Sequence, residues 1–361
     1  MVNIKEGLLV IILCFMLTLF GLVIGGYILP TVSEDTDYLN TTDSDFADEK
    51  VESVYYDSEL NLEEAQDGVV TIYAKKQSDD EVTSQGSGFL YTDKYIMTNE
   101  HVIAGTSKFY IQYNNGEWVE ADLVGSDKGT DIAILEPDSV PNYAPVLPLQ
   151  LKDPVIGEPV VAIGSPSSLD TTVTEGVVSA TDLAMDIETE FTIPDTIQTD
   201  AALNPGNSGG PLISTTDGIK VIGVNRATDG ENIGLAISAN IAHIVGESII
   251  EDGVSNRAYL GISTKDNDAS IIEDKRIDSG VRISSIRKGS PFDRQTTFSN
   301  ESFSSSPHFI VKIDDMDVNS SEQLYNYLFT EKEPDDFVDV HIYNQGNITV
   351  KSIKLDRRLV V

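Results

Sequence analysis

The chain has 361 residues and carries 59 acidic against 24 basic side chains, which gives a formal net charge of −35. Such a surface repels phosphate backbones, so the charge balance argues against nucleic acid as a partner. The length and the 40% hydrophobic content predict two folded domains with an additional segment. Cys14 is the only cysteine, which excludes an intrachain disulfide.

The acidic residues are spread along the whole chain. This distribution favours a halophilic protein, because at molar salt the Debye length is about 3 Å and the carboxylates no longer repel one another strongly. An ordinary acidic surface is the alternative interpretation, since net charge affects solubility and not the fold.

The first predicted element is a membrane span. Residues 8–29 are 22 uncharged and mostly apolar positions, long enough as a helix to cross a hydrocarbon core of about 30 Å. We expect an uncleaved signal anchor, because the run is long and lacks an A-x-A-like exit; a cleaved signal sequence is the alternative. Lys5 precedes the span and acidic residues follow it, which places residues 1–7 in the cytoplasm and the rest outside the cell membrane.

Residues 30–66 are predicted to form an acidic disordered linker. They are polar, show little apolar periodicity and bury too little surface to offset the entropy of ordering. Their carboxylates lack the spacing of a metal site, and we expect no metal and no cofactor in this protein.

Residues 67–250 contain short β-rich runs separated by turn-forming residues, a pattern typical of an all-β barrel or sandwich. Near their end, ANIAHIVGESIIEDG has helical spacing and a terminal glycine, which predicts a closing helix. The predicted strands are VVTIYAK, GSGFLYT, KYIMTN, KFYIQY, DIAIL, PVVAIG, GVVSATD, VIGVNR and GLAIS.

Residues 256–361 form a further predicted module. Ser320 and Ser321 offer an N-cap to a helix with the sequence SSEQLYNYLFT. The predicted strands of this module are YLGIST, GVRISSI, HFIVKID, FVDVHIY and ITVKSIKL.

One of the four histidines differs from the others. His243 falls in the closing helix, and His308 and His341 lie beside strand-like runs without a nearby nucleophile, so we interpret these three as structural or exposed. His101 ends an apolar strand in YIMTNEHVIAG, where an imidazole can project into a cleft.

Asp131 and Ser208 complete a set of residues with nucleophilic chemistry. Asp131 begins the apolar run DIAILEP, where a buried carboxylate needs a hydrogen-bond donor such as an imidazole N–H. Ser208 follows within NPGNSGGP, which gives the order His, Asp, Ser of chymotrypsin-like β-barrels. A turn without chemistry is the alternative, but it leaves His101 and Asp131 unexplained.

The chemistry of acyl transfer explains why NPGNSGGP contains several glycines. Acyl transfer places negative charge on the carbonyl oxygen, and two backbone N–H groups aimed at one point stabilise it. Aiming the amides of Gly206 and Ser208 together requires backbone angles that side chains resist. The loop therefore predicts an oxyanion hole.

Residues 67–250 resemble the HtrA/Deg family of trypsin-like serine proteases. The resemblance implies a chymotrypsin-like double β-barrel with His101 as general base, Asp131 as its orienting partner and Ser208 as nucleophile. It also implies an oxyanion hole formed by the amides of Gly206 and Ser208. The motifs that carry it are IQTDAALNPGNSGGPL, GSGFLYTDKYIMTNEHVIAG, TDIAIL, AIGSPSSLDTTVTEGVVSA and GLAIS.

By the same resemblance, Ala202 lies at the base of the primary specificity pocket, with Leu203, Gly234 and Leu235 nearby. None of these residues offers a carboxylate to a lysine or arginine of the substrate. We therefore expect small or medium apolar side chains before the cleaved bond.

The module 256–361 resembles the PDZ domain that follows the protease in this family. Tyr259, Leu260, Gly261 and Ile262 match its carboxylate-binding loop, where backbone N–H groups hold a peptide C-terminus. The family's GL-x-x-GD turn is missing, and QTTFSNESFSSSPHF stands in its place. The alternative is a divergent module that packs against or spaces the protease without binding peptides.

The resemblance implies a single-pass membrane serine endopeptidase that cleaves unfolded or damaged proteins outside the cytoplasmic membrane, as a homotrimer or higher oligomer. A non-catalytic chaperone or peptide-binding scaffold on a protease fold is the alternative. A scaffold is expected to have lost His101, Asp131, Ser208 or a loop glycine, and all of them are present. We therefore predict an enzyme.

Overall fold

The computed structural model describes residues 60–77, 81–165, 171–188, 191–226, 234–266, 279–298 and 306–357. The predicted membrane span at residues 8–29 lies outside this part of the chain, as does most of the predicted linker. Among the described residues, no helix is both long enough and apolar enough to cross a membrane.

The structure corrects the end of the predicted linker. Helix α1, Leu62–Asp67, begins at the N-cap Asn61, whose side chain and main chain exchange hydrogen bonds with Glu64 in a capping box. Ala65 is fully buried in the core. Residues 62–66 therefore belong to the folded unit, because local capping and one buried methyl group order a segment of acidic composition.

The first barrel is closed and antiparallel, with the strand order β1-β2-β3-β6-β5-β4. The short helix α2, Glu100–Ile103, follows β3 and buries Val102 and Ile103 in the barrel core. The six strands are β1 (Val69–Lys75), β2 (Ser84–Leu90), β3 (Ile96–Thr98), β4 (Lys108–Gln112), β5 (Trp118–Asp127) and β6 (Ile132–Pro137).

The second barrel is also closed, with the order β10-β11-β12-β9-β8-β7. Helix α3, Ala239–Asp252, follows it and ends at Gly253, which adopts the left-handed conformation with φ 73°. The six strands are β7 (Pro159–Gly164), β8 (Thr172–Glu188), β9 (Phe191–Thr199), β10 (Pro211–Ser214), β11 (Lys220–Arg226) and β12 (Gly234–Ser238).

A shared core joins the two barrels. It contains Phe89 and Ile134 of the first barrel, Ile163 and Ile213 of the second, and Val245 of α3, all fully buried. This arrangement confirms the predicted double β-barrel, and the closing helix is where its spacing predicted it.

The C-terminal module packs two helices on a small sheet. Strands β14, β15, β16, β18 and β19 follow one another across the sheet, β17 pairs with β16, and β13 pairs with β20. The elements are β13 (Ala258–Tyr259), β14 (Ile262–Lys265), β15 (Val281–Ile286), α4 (Pro291–Gln295), β16 (Phe309–Ile313), β17 (Met316–Asp317), α5 (Ser321–Thr330), β18 (Phe337–Asn344), β19 (Asn347–Lys354) and β20 (Asp356–Arg357).

A buried ion pair connects this module to the protease barrels. The guanidinium of Arg257 contacts the carboxylate of Asp127 at the end of β5, and neither side chain is more than 5% exposed. Arg257 also lies over the ring of Phe329 in α5, 5.2 Å from its centroid. The turn that follows β5 is thus anchored from the C-terminal module.

Candidate active site

His101 and Asp131 form a hydrogen-bonded pair. His101 Nδ1 lies 2.8 Å from Asp131 Oδ2, and the backbone N–H of His101 donates to Asp131 Oδ1 at 2.9 Å. A carboxylate only accepts, so Nδ1 carries the proton and Nε2 is left as an acceptor. The carboxylate is 3% exposed and the imidazole 43% exposed, so the base reaches solvent while its partner is buried.

The backbone of Asp131 fixes the start of α2. Asn99 Nδ2 and the backbone N–H of Glu100 both donate to the carbonyl oxygen of Asp131, at 2.9 and 3.1 Å. Asp131 itself adopts a left-handed conformation with φ 59°. A residue in this conformation turns the chain between β5 and β6 so that side chain and carbonyl both face α2.

Arg226 also contacts the carboxylate of this pair, and this contact was not predicted from the sequence. Its Nε donates to Asp131 Oδ2 at 2.9 Å, and its side chain is 22% exposed. The buried carboxylate therefore accepts three N–H groups. The available signal was a basic residue at the end of the apolar run VIGVNR, in a chain with only 24 basic side chains.

Ser208 lies in a loop held by its own turns and by β11. Gly206 and Gly209 have φ values of 106° and 84°, which glycine adopts without strain. The N–H of Gly209 donates to the carbonyl of Asn225, and the N–H of Asn225 donates to Gly210, at 2.9 and 2.8 Å. Two glycines and one strand thus define the backbone on both sides of a serine that is 6% exposed.

Ser87 on β2 joins this loop to the first barrel. Its N–H donates to the carbonyl of Ser208 at 2.9 Å, and its hydroxyl donates to the carbonyl of Gly206 at 2.5 Å. A Cβ added at Gly86 would lie 2.6 Å from Val102 Cγ2 and 3.2 Å from the Ser208 carbonyl oxygen. The main chain of Ser208 therefore lies beside the residue that follows His101.

The electrostatic surroundings include one further carboxylate. Burial, and then the charge of Asp131, raise the pKa of Glu100 above its usual range. This side chain is adjacent to His101 in α2, so the histidine faces negative charge from its own helix as well as from Asp131.

The predicted specificity residues are only partly brought together. A Cβ at Gly234 would lie 2.9 Å from Leu203 Cδ1, so these two residues are in direct contact. Ala202 is exposed, and its carbonyl accepts from Thr174 Oγ1 at 2.9 Å. Leu235 packs against the core shared by the barrels, whereas Leu203 packs against the core of the second barrel. Side chains alternate along β12, so the Leu235 side chain lies on the face opposite to position 234, and its place in the specificity pocket stays a prediction.

Two of the other histidines have structural contacts. His243 Nδ1 lies 2.7 Å from the hydroxyl of Tyr91, which also bonds Glu247 of α3. His308 Nδ1 lies 2.9 Å from the carbonyl of Ser306, and burial lowers its pKa. These contacts agree with the structural interpretation.

Three carboxylates converge beside the C-terminal module. Asp153, Asp182 and Asp195 place one oxygen each within 4.8 Å of one another. Burial raises the pKa of Asp195 to about 6, although the Ser238 hydroxyl donates to it at 2.6 Å. Burial raises the pKa of Glu322 in α5 to about 7, and the charges of all three aspartates add to this shift.

The predicted carboxylate loop borders a groove of about 300 Å³ between β14 and α5. Leu260, Gly261 and Ile262 line it together with Leu328 of α5 and Pro194 of β9. The groove is thus bounded by both the C-terminal module and the second barrel.

A tyrosine hydroxyl of α5 forms hydrogen bonds with the main chain of β14, on the opposite side of this groove. Tyr325 of α5 accepts a hydrogen bond from the N–H of Thr264 at 3.0 Å and donates to the carbonyl of Ile262 at 3.3 Å. Strand β14 pairs only with β15 among the described strands. Its free edge therefore has one amide and one carbonyl already bonded to a side chain.

Sequence comparisons agree with the arrangement of the barrels. A family model described as a trypsin-like peptidase domain matches residues 86–224. The serine protease Do-like HtrA of Lactococcus lactis subsp. cremoris is 33% identical over 307 residues, which cover 77% of this chain and 72% of that protein. The serine protease Do-like HtrA of Bacillus subtilis is 33% identical over 307 residues, 78% of this chain and 65% of that protein.

A probable periplasmic serine endoprotease, DegP-like, of Marinomonas sp. is 32% identical over 285 residues. The match covers 76% of this chain and 58% of that protein. The chain therefore spans less than two thirds of the length of the Bacillus and Marinomonas proteins.

Solved structures match along most of the chain. The serine endoprotease from Yersinia pestis has a TM-score of 0.61 and 29% identity, covering 82% of this chain and 96% of that one. The HtrA-type protease AlgW with tripeptide has a TM-score of 0.68 and 28% identity, covering 83% and 97%. The matched region extends over the barrels and into the C-terminal module.

Proposed function

Because this chain belongs to the HtrA family of trypsin-like serine proteases, we propose that it is a serine endopeptidase with His101, Asp131 and Ser208 as its catalytic triad. The observation that carries this proposal is the 2.8 Å contact between His101 Nδ1 and Asp131 Oδ2, with the Ser208 loop held beside α2.

The chemistry follows from the tautomer of His101. Its Nε2 accepts the proton of the Ser208 hydroxyl as the oxygen attacks the peptide carbonyl. Asp131 holds the ring and stabilises the imidazolium that forms. The imidazolium then protonates the leaving amine, and water attacks the acyl-enzyme with His101 again as base.

The oxyanion formed in each attack is assigned to the amides of Gly206 and Ser208. The φ of 106° at Gly206 and the bond from its carbonyl to Ser87 support this role, because both fix the peptide planes around the loop. Loss of one such donor typically reduces the rate by about 10²- to 10³-fold.

The proposed substrates are unfolded or damaged polypeptides with a small or medium apolar residue before the cleaved bond. The contact between Leu203 and Gly234 supports an apolar pocket wall without a carboxylate. The alternative is a scaffold that binds polypeptides without cleaving them.

The proposed location is outside the cytoplasmic membrane, with residues 8–29 as a single-pass anchor. The name of the Marinomonas relative, a probable periplasmic endoprotease, supports extracytoplasmic action. We also propose that the protein forms a homotrimer or a higher oligomer and that it comes from a halophile. Circular dichroism in low salt tests the last point, since a halophilic protein is expected to lose its native spectrum there.

The C-terminal module is proposed to be a divergent PDZ-like domain that binds peptide C-termini. The groove between β14 and α5, bordered by Leu260, Gly261 and Ile262, supports this assignment. The Tyr325 hydroxyl supports the alternative of a spacer, because it occupies groups that an added peptide strand would use.

The decisive experiment compares the full chain with Ser208→Ala on an unfolded protein substrate, in high salt and detergent. We expect cleavage only by the unaltered chain. Equal cleavage by both proteins would contradict the triad, and binding without cleavage by both would establish the scaffold.

A further inference from the structure

We infer that Arg226 is a positioning residue of the triad, which holds Asp131 against the second barrel and opposes the positive charge that His101 acquires in catalysis. This inference rests on the proposed function. Arg226 adds a permanent positive charge to the triad, and we expect this side chain to affect the rate of peptide cleavage.

Arg226 ties together parts of the site that come from different barrels. Asp131 belongs to the turn before β6 in the first barrel, whereas Arg226 ends β11 in the second and pairs with Leu235 of β12. The preceding residue, Asn225, exchanges main-chain hydrogen bonds with Gly209 and Gly210. Two consecutive residues of β11 therefore hold both the loop of Ser208 and the carboxylate of Asp131.

The contact is directional as well as ionic. Arg226 Nε and His101 Nδ1 lie 2.9 and 2.8 Å from the same oxygen, Asp131 Oδ2. Three N–H donors on a carboxylate that is 3% exposed leave it little freedom to rotate. The imidazole orientation depends on that carboxylate, so Arg226 acts on His101 through Asp131.

The charge of Arg226 opposes the charge that His101 acquires during catalysis. Arg226 Nε and His101 Nδ1 bond to the same carboxylate oxygen, so the guanidinium repels the positive charge of an imidazolium at His101. The neighbouring Glu100 acts in the opposite direction. Among the described residues, the charged groups around the pair are Glu100 of α2, Asp127 at the end of β5, Lys128 and Asp131 of the turn after β5, and Arg226 of β11.

The inference is tested with three variants of the full chain in high salt. Arg226→Gln keeps an N–H donor without the charge, Arg226→Lys keeps the charge with a different donor geometry, and Arg226→Met keeps neither. The measurement is kcat/KM against pH for an internally quenched peptide with an apolar residue before the cleaved bond. Thermal unfolding midpoints of each variant are measured alongside.

The three variants separate charge from positioning. In Arg226→Gln and Arg226→Met, we expect the acid limb of the profile to move to higher pH by on the order of one unit. In Arg226→Lys the limb is expected to stay in place. The plateau rate is expected to fall by about 10- to 100-fold in Arg226→Met and only severalfold in Arg226→Gln.

The outcomes distinguish this inference from the proposed function. An unmoved acid limb in both Arg226→Gln and Arg226→Met, with activity still dependent on Ser208, would overturn the role of Arg226 and leave the triad intact. Full activity in Ser208→Ala would refute the triad itself. If Arg226→Met fails to fold, the pair of Arg226→Gln and Arg226→Lys decides the question.

Discussion

The cleft between the barrels and the groove of the C-terminal module use hydrogen bonds in opposite ways. In the cleft, N–H donors converge on the buried carboxylate of Asp131, and the imidazole of His101 is 43% exposed with Nε2 free of the carboxylate. In the groove, the Tyr325 hydroxyl is bonded to the exposed edge of β14. In the proposed active site the imidazole is oriented in advance, whereas a peptide added to β14 would have to replace the bonds of Tyr325.

The largest expected effect concerns the orientation of the imidazole. In Asp131→Asn, an amide N–H faces His101 Nδ1 and selects the wrong tautomer, so kcat is expected to fall by about 10⁴-fold. Steady-state kinetics measures this loss, and Glu100→Gln serves as the control because it also removes a carboxylate beside His101. A similar decrease of kcat in both variants would show that kcat depends on the negative charge beside His101 and not on the orientation of the imidazole.

A second test addresses the close packing of the nucleophile loop. Gly209 has φ 84°, and an added Cβ would overlap the carbonyl of Ser87 and the hydroxyl of Thr98. We expect Gly209→Ala to lose on the order of 10²-fold in kcat, since small displacements of reacting groups have effects of this size.

The matched control for that test is Gly105→Ala. Gly105 has φ 67°, and nothing lies within 4 Å of an added Cβ. It therefore carries the same backbone strain without the clash. Equal loss of activity in both variants would attribute the effect to strain alone.

The groove is tested by removing one hydroxyl. Tyr325→Phe frees the Thr264 N–H and the Ile262 carbonyl for an added strand, so a peptide with a free apolar C-terminus is expected to bind roughly 2- to 10-fold more tightly. Fluorescence anisotropy measures the change, with an amidated peptide as the ligand control.

Tyr327→Phe is the matched protein control for the groove. Tyr327 lies on the same helix, but its hydroxyl donates to Asp314 at 2.8 Å. An equal gain in affinity for both variants would show that Tyr325 does not close the groove, and no binding in any variant would favour the spacer.

The last test concerns stability and not activity, in the carboxylate cluster between the second barrel and α5. Asp195 has a pKa raised to about 6 in the folded protein, against a usual value of 3.8. The folded state therefore binds more protons than the unfolded state between about pH 4 and 6, so its stability falls as pH rises through this window.

Asp195→Asn should remove this pH dependence. The free energy of unfolding is expected to exceed that of the unaltered chain by about 3 kcal/mol at pH 8, with the difference vanishing near pH 4. Denaturant unfolding at both pH values measures it. Asp138→Asn, which removes an exposed carboxylate, is the control, and an equal gain there would assign the effect to net charge.

Apolar patterning predicted much of the barrels, and its failures have physical causes. Strands VVTIYAK, PVVAIG and GLAIS coincide with β1, β7 and β12 because they are buried on both sides or alternate cleanly. Strand β5, WVEADLVGSD, was not predicted, since the acids Glu120 and Asp122 interrupt its apolar pattern.

The candidate site was predicted from chemistry and the resemblance more than from periodicity. His101 and Asp131 are 30 residues apart, and only the barrel brings them into contact. Arg226 is 95 residues from Asp131 in the chain and belongs to no motif, so its contact could not be inferred without the fold. The direction of the Leu235 side chain could not be predicted from the sequence, because it depends on the register of β12.

The bonds of Ser87 have a consequence for the time at which the protein becomes active. Ser87 lies on β2, and its hydroxyl partner Gly206 is 119 residues further along the chain. A nascent chain emerges from its N-terminus, so the support for the nucleophile loop is synthesised long before the loop itself. The proposed catalytic site is therefore complete only after the second barrel has closed onto the first.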